Sequence, residues 1–512
     1  MQVLKKGRFS PLNTALLTIL GIASKVISVM FKIVLIMVIG TVGIGYYQLA
    51  FPLFVFLFSL SSVGVATTLT MNIAESGWGT LVNNGGFRFA KKTTIIVTIA
   101  LSAGLIIIAP LVAKVQGDLT ITYIYYSVAF AILSVSLLTF YRAILRGNEF
   151  IKPYAISDIV EQSSKLVLSV LLAFLMMRIG EVFAVVGVFI GIATSAIITL
   201  LYIKVVLAKK YITTNEVKSN IVFDKKTFLK FSFIAGISSI LLPFVQFIDS
   251  IVVVRLLGAI GYSHLNATKL FGLSRGNISA LINLPNTIIL AIEFLLLPDI
   301  LKISTKDNVS KKCQTTITIA FAIGVLAGAV FFAFSNEILN FAYGNSFDDF
   351  EYSVAVILLK IGAFSVLFSS LAQIQSVVLQ GIKKLHLPII SLCIASGIKL
   401  LFELVFIKEL GIYAAEMSNV LFYLSLSLIN GAFLIKNKVY FGTPINLLVL
   451  LVILLWVILT KLIFNLIVTK ISFIFAIILA IFMTSVLSVL LLLFFISKVK
   501  KKKQNENFVN NV

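Results

Sequence analysis

Apolar residues in this chain fall in long, nearly uninterrupted runs, such as 12–39 and 473–496, with charged residues confined mostly to the gaps between them. A helix of roughly 20 apolar residues crosses the ~30 Å hydrocarbon layer of a bilayer. The pattern predicts an all-α integral membrane protein with about 14 transmembrane helices. The expected spans are 11–40, 44–72, 93–115, 121–146, 151–177, 182–208, 227–257, 265–301, 312–335, 351–381, 386–407, 411–435, 443–468 and 471–497. The gaps between them are short, the longest lying around 209–226, and loops of that size cannot house a soluble catalytic domain. The basic start is followed by an apolar run too long for a signal-peptide core, so it reads as the first spanning helix.

Composition agrees with the pattern: 60% of the 512 residues are hydrophobic and 12% are charged. The net charge of +22 would suggest nucleic acid in a soluble protein, but here its distribution gives another reading. Lysine and arginine recur in alternate loops: Arg88, Lys91 and Lys92; Arg142, Arg146 and Lys152; the 204–230 segment; 302–312; Lys383 and Lys384; Lys436 and Lys438; and the 498–503 tail. By the positive-inside rule these loops face the cytoplasm, which places both termini there and the chain in the cytoplasmic membrane. Contact with anionic membrane lipids accounts for the charge without nucleic acid. The only cysteines, Cys313 and Cys393, sit in apolar surroundings, and the histidines, His264 and His386, are far apart. Neither a disulfide framework nor a metal site is expected.

The sequence repeats itself. Leu145-Arg146-Gly147 precedes Pro153, Ser157 and Lys165-Leu166, while Leu379-Gln380-Gly381 precedes Pro388, Ser391 and Lys399-Leu400. A weaker echo joins Gly40-Thr41-Val42-Gly43 to Gly258-Ala259-Ile260-Gly261. Six helices per copy is an even number, so the second copy starts on the same face and the repeats are parallel. The expected organisation is an N-terminal six-helix lobe at 1–210, a cytoplasmic linker at 211–226, a C-terminal six-helix lobe at 227–436, and helices 13–14 with a basic tail at 437–512.

Charges inside spans are costly and therefore informative. Lys25 and Lys32 lie two turns apart on one face of the first helix, with no acid in that helix, and suit an anionic head group. Arg275, flanked by Gly272 and Gly276, can clamp a phosphate, and Arg255 adds a further cation. Asp249 and Glu293 are candidates for a coupling ion or proton. Asp158, Glu161 and Lys165 form one stripe in which Glu161 can pair with Lys165, and Lys399 with Glu403 has the same spacing; these read first as structural pairs. Lys461, near a helix end, is expected to snorkel. Prolines 52, 243, 285 and 298 inside spans are sites of bending.

Two stretches carry a resemblance. Ser24-Lys25-Val26-Ile27 through Lys32, followed by Ile39-Gly40-Thr41-Val42-Gly43-Ile44-Gly45-Tyr46-Tyr47-Gln48-Leu49-Ala50-Phe51-Pro52, resembles the opening of the stage V sporulation protein B group of polysaccharide transporters. Tyr141-Arg142, Gly147, Pro153, Ile156-Ser157, Val160-Glu161-Gln162, Asp249, Arg255, Leu284-Pro285 and Pro298 agree with it, over about residues 10–435. The chain departs from the group at Ser28, where glycine is usual, at Lys32, where arginine is usual, and at Val65, where proline is usual. The group is similar in fold to the MurJ lipid II flippases, within the multidrug, oligosaccharidyl-lipid and polysaccharide exporter superfamily.

The resemblance implies two lobes around a cationic cavity and a lipid-tail groove lined by the final two helices. It also implies a flippase moving an undecaprenyl-diphosphate-linked glycan, the peptidoglycan precursor lipid II foremost, by alternating access. The implied partners are the lipid-linked glycan and cell-wall synthesis proteins. No bond is made or broken, so no catalytic residue or cofactor is expected beyond a coupling cation, for which the membrane potential is an alternative. The rival readings are a flippase for another lipid-linked repeat unit, a cation-coupled drug exporter, and a membrane-embedded polymerase or ligase. The last needs a large external loop, and 335–352 is short and acidic.

Overall fold

The computed structural model describes residues 11–211, 223–302, 306–439 and 447–468. The expected helix at 471–497, the basic tail and most of the 211–226 linker lie outside the described residues. Every regular element among those residues is helical, and ten helices are long and apolar enough to cross a membrane. The chain divides into two compact units, 1–277 and 278–512.

In the first unit α1 (Pro11–Phe58) is two helices meeting at Gly40, whose backbone is non-helical (φ 64°, ψ −176°). A π-helical turn, Ser59–Val63, leads into α2 (Gly64–Ser76) and the short α3 (Trp78–Asn83). Then come α4 (Gly86–Gln116), α5 (Thr122–Gly147), α6 (Ile151–Met177) and α7 (Glu181–Tyr211), followed by α8 (Lys225–Ala259) and α9 (His264–Gly272). A buried spine of Tyr125, Ala129, Ile132 and Phe140 on α5 centres the unit. Lipid offers no hydrophobic drive for helix association, so small residues supply close packing instead. Gly187 and Gly191 of α7 press on α6 so closely that an added Cβ would lie 2.7 Å from the Leu172 carbonyl oxygen and 2.3 Å from the Ser169 Cα.

The second unit contains α10 (Ser279–Ile282), α11 (Leu284–Lys302), α12 (Lys306–Ala333), α13 (Ser335–Tyr343), α14 (Asp349–Gly381), α15 (His386–Leu410), α16 (Ile412–Lys436) and α17 (Leu447–Val468). The same device packs it. Gly324 and Gly328 of α12 face α14, where an added Cβ would lie 2.8 Å from Ser370 Oγ and 2.7 Å from the Ala363 carbonyl oxygen. A capping box starts α14: Asp348 accepts from the Glu351 amide, and Glu351 accepts from the Asp348 amide.

The repeated motif builds the same turn in both units. After Gly147 the Phe150 amide returns to the Leu145 carbonyl (2.8 Å), with Glu149 at φ 55°. After Gly381 the Lys384 amide returns to the Leu379 carbonyl (3.0 Å), with Lys383 at φ 63°. Each is a helix end closed by a 6→1 bond through a left-handed residue. Each glycine also meets an isoleucine: an added Cβ would lie 2.7 Å from Ile73 Cβ at Gly147 and 2.7 Å from Ile300 Cγ2 at Gly381.

The span at 265–301 differs from expectation in form. The predicted continuous helix at 265–301 is broken into α9, a π-helical turn at Leu273–Ile278, α10 and α11. Gly272, Gly276 and Pro285 sit at those breaks, where glycine weakens a helix and proline starts one. The compact units part inside this same segment, because α8 and α9 pack on α1 and α2; this is a division by contact, distinct from the division by repeat.

Candidate functional site

The helices α1 and α6 run side by side and meet through polar groups at one end. Ser24 of α1 donates to Asp158 of α6. Arg142 of α5 reaches in between: its Nε donates to Ser157 Oγ (3.1 Å), its Nη2 to the Ser157 carbonyl (2.7 Å), and its Nη1 to Glu161, with Asp158 3.8 Å away. One turn beyond Glu161, the Lys165 ammonium lies 5.3 Å from the centre of the buried Phe31 ring. Spacing within α6 pairs Glu161 with Lys165; the structure adds the Arg142 guanidinium to Glu161, and its fixed fork serves carboxylate and backbone together. Lys32 follows Phe31 and is exposed. Lys25 belongs to α1, and its side chain is outside what is described.

The cation expected to clamp a phosphate is engaged within the protein. Arg275 lies in the π-helical turn and makes a two-pronged pair with Asp249 of α8, Nε to Oδ2 at 2.8 Å and Nη2 to Oδ1 at 3.1 Å. Asp249 is buried. Gly272 and Gly276 leave no room beside it, because they receive α1: an added Cβ would lie 2.5 Å from the Gly45 nitrogen and 2.0 Å from Ile44 Cγ2, respectively. The expected phosphate clamp and the expected coupling acid thus form one ion pair. Arg255 is exposed and donates from Nε to the Val115 carbonyl at 2.6 Å.

In the second unit Lys399 and Glu403 pair at 3.3 Å, as their spacing predicts, and both are buried. Ser418 of α16 donates to Glu403 Oε1 at 2.5 Å. Glu293 of α11 is half-buried, and its Oε1 is buried with no hydrogen-bond partner among the described residues. Lys461, expected to reach for the interface, has a partner there within the protein. It pairs with Glu337 and lies 4.8 Å from the Phe334 ring centre, tying α17 to α13.

A cluster that spacing did not suggest surrounds the α4–α5 turn. Asp118 caps a short 3-10 turn, Leu119–Ile121, by accepting from the Thr120 amide (2.8 Å), and it also accepts from the Tyr46 hydroxyl (2.9 Å). His264 Nε2 lies 2.8 Å from the Gln116 carbonyl, and Nδ1 lies 3.9 Å from Asp118. Burial works to raise the Asp118 carboxyl; the bonds from Thr120 and Tyr46 and the nearby His264 outweigh it and hold the group below the usual carboxylate range. These contacts join residues far apart in sequence, and the one available signal was Asp118 before Thr120 at a helix start.

A bundle of apolar helices packed through small residues, with ion pairs held at membrane depth, is the architecture of a multi-pass membrane transporter. Solved structures agree on the fold. "Lipid II flippase MurJ, inward closed conformation" matches with a TM-score of 0.71 at 14% identity, covering 94% of this chain and all of the other. An inward-facing multidrug resistance transporter of the MATE family matches with a TM-score of 0.65 at 16% identity, over 80% and 94% of the two chains. The model of the family described as "Polysaccharide biosynthesis protein" matches residues 12–291, and the chain belongs to that family. A second model, MatE, matches 304–405. Among curated relatives, stage V sporulation protein B of Bacillus subtilis (strain 168) is 22% identical over 447 residues, 82% of each chain. Lipid II flippase MurJ of the same organism is 24% identical over 460 residues, 83% of this chain and 82% of the other.

Proposed function

We propose that this protein is a flippase that carries an undecaprenyl-diphosphate-linked glycan, lipid II as the leading substrate, from the cytoplasmic to the outer leaflet by alternating access. The single observation behind the reading is Lys32, a lysine exposed at membrane depth on α1 in a chain of the polysaccharide biosynthesis family. An exposed ammonium on a membrane-spanning helix is one an anionic head group in transit can meet. Lys25, two turns earlier in the same helix, extends the cationic face in sequence. The name of one relative, lipid II flippase MurJ, supports lipid-linked cargo, and the family description supports a polysaccharide repeat unit as the second substrate class.

The chain works in the cytoplasmic membrane with both termini inside, meeting anionic lipids and cell-wall synthesis proteins there. It acts as a transporter, without bond chemistry. Glu293, with an unpartnered buried oxygen, is the better placed of the two coupling candidates for a cation or proton, since Asp249 is already occupied by Arg275. The test is complementation of a flippase-depleted strain, measuring lipid-linked precursor on each leaflet together with membrane protein level. Lys32→Arg retains translocation, while Lys32→Ala and the Lys25→Ala, Lys32→Ala double variant lose it at normal protein level. Full translocation by the double variant overturns the reading.

A further inference from the structure

A cavity of about 440 Å³ opens between α1 and α6, and every residue lining it is apolar. Val34 and Val38 form one wall; Leu166, Val170 and Phe174 form the other. From Leu166 to Phe174 the slot is about 12 Å long at the helical rise, close to one leaflet of hydrocarbon. One side is open, since Phe174 is 57% exposed. A cation marks its near end: Lys165 directly precedes Leu166 and lies over Phe31.

The depth of that end selects the occupant. Lys165 is about 21 Å along α6 from Ile151 and about 18 Å from Met177, near the middle of a membrane-spanning helix. The phosphate of a resting phospholipid stays at the interface and does not reach this level. A lipid whose head group is being carried through the protein does reach it. We infer that the α1–α6 slot holds the first isoprene units of the polyprenyl carrier in mid-transit, with Lys165 contacting its diphosphate. The inference rests on the lipid-carrier reading above. An extended hydrocarbon beside Val170 buries apolar surface that α1 and α6 leave open, and a diphosphate at Lys165 meets a cation in a low-dielectric setting.

The experiment uses the full chain in phosphatidylcholine vesicles with a benzophenone-tagged polyprenyl diphosphate, photolysis, and peptide mapping, beside an assay of probe transfer between leaflets. The expected result is labelling within 34–38 and 166–174. Val170→Trp, which fills the slot, lowers that labelling at least tenfold, while Val170→Leu keeps it. Lys165→Gln lowers it about tenfold and Lys165→Arg restores it. Transfer of the probe with labelling only elsewhere overturns the slot and leaves the lipid-carrier reading standing. Neither transfer nor labelling overturns both. Displacement of the probe by added phosphatidylglycerol at equal concentration overturns the inference in favour of an ordinary phospholipid site.

Discussion

Lys165 and Lys399 stand at the same interval after matching glycines in the two halves of the chain, yet the halves use them differently. Lys399 is buried against Glu403, and Ser418 bonds the same carboxylate. Lys165 lies half-buried over an aromatic ring beside an open apolar slot, and the acid one turn before it is held by Arg142. A cation whose counter-charge is fixed within its own bundle stabilises a lobe. Lys165, packed on Phe31, borders an apolar surface that its own helix pair leaves unfilled. One residue that separates the halves is Arg142, whose matching place in the second half holds Gln375 or Ser376 rather than a cation.

The largest expected effect tests the locked half. Glu403→Leu strands a buried ammonium and lowers stability by about 3–5 kcal/mol, read by thermal unfolding in detergent, whereas Lys399→Leu with Glu403→Leu recovers most of the loss. Lys165→Ala lowers stability less than Glu403→Leu does and lowers translocation. Equal destabilisation by both lysine changes would break the comparison. Arg275→Lys removes one prong of the pair to Asp249 and costs about 1.5–3 kcal/mol in the same unfolding assay, which places Arg275 with Lys399 rather than with Lys165. Gly147→Ala and Gly381→Ala each cost about 1–3 kcal/mol by overpacking against Ile73 and Ile300, and each is relieved by trimming its isoleucine to alanine. Similar losses at both sites sharpen the case for repeated architecture.

The smallest effect is a pH dependence confined to the first unit. The Asp118 carboxyl is held below its ordinary range, so the stability it contributes is present above the unfolded value, about pH 4, and is lost as pH falls through the lowered folded value. Losing this cap costs about 1 kcal/mol, and Asp118→Asn flattens acid unfolding curves over that window.

Much of the fold was legible because membrane helices announce themselves by length and apolarity. Expected spans at 151–177, 351–381 and 411–435 lie within two residues of α6, α14 and α16. The Lys399–Glu403 pair was legible because it obeys the spacing of one helix. Contacts between helices were not: Arg142 on Glu161, Arg275 on Asp249 and Lys461 on Glu337 join residues that no periodicity links. The break at Leu273–Ile278 was hidden by its continuous apolar surroundings, though Gly272 and Gly276 mark it. The cavity between α1 and α6 was invisible, because a void is a property of two packed surfaces and each helix alone reads as ordinary apolar sequence.

Gly40 bears on how the protein is made. A straight helix over Pro11–Phe58 would be about 72 Å long, more than twice the hydrocarbon thickness, so the nascent chain must bend within it. With φ 64° and ψ −176° Gly40 lies in a region open essentially to glycine alone, where a residue with a Cβ would be strained by about 1–3 kcal/mol. The first two spans can therefore leave the translocation machinery as a preformed pair. Arg88, Lys91 and Lys92, the next basic cluster, follow only after both of these spans.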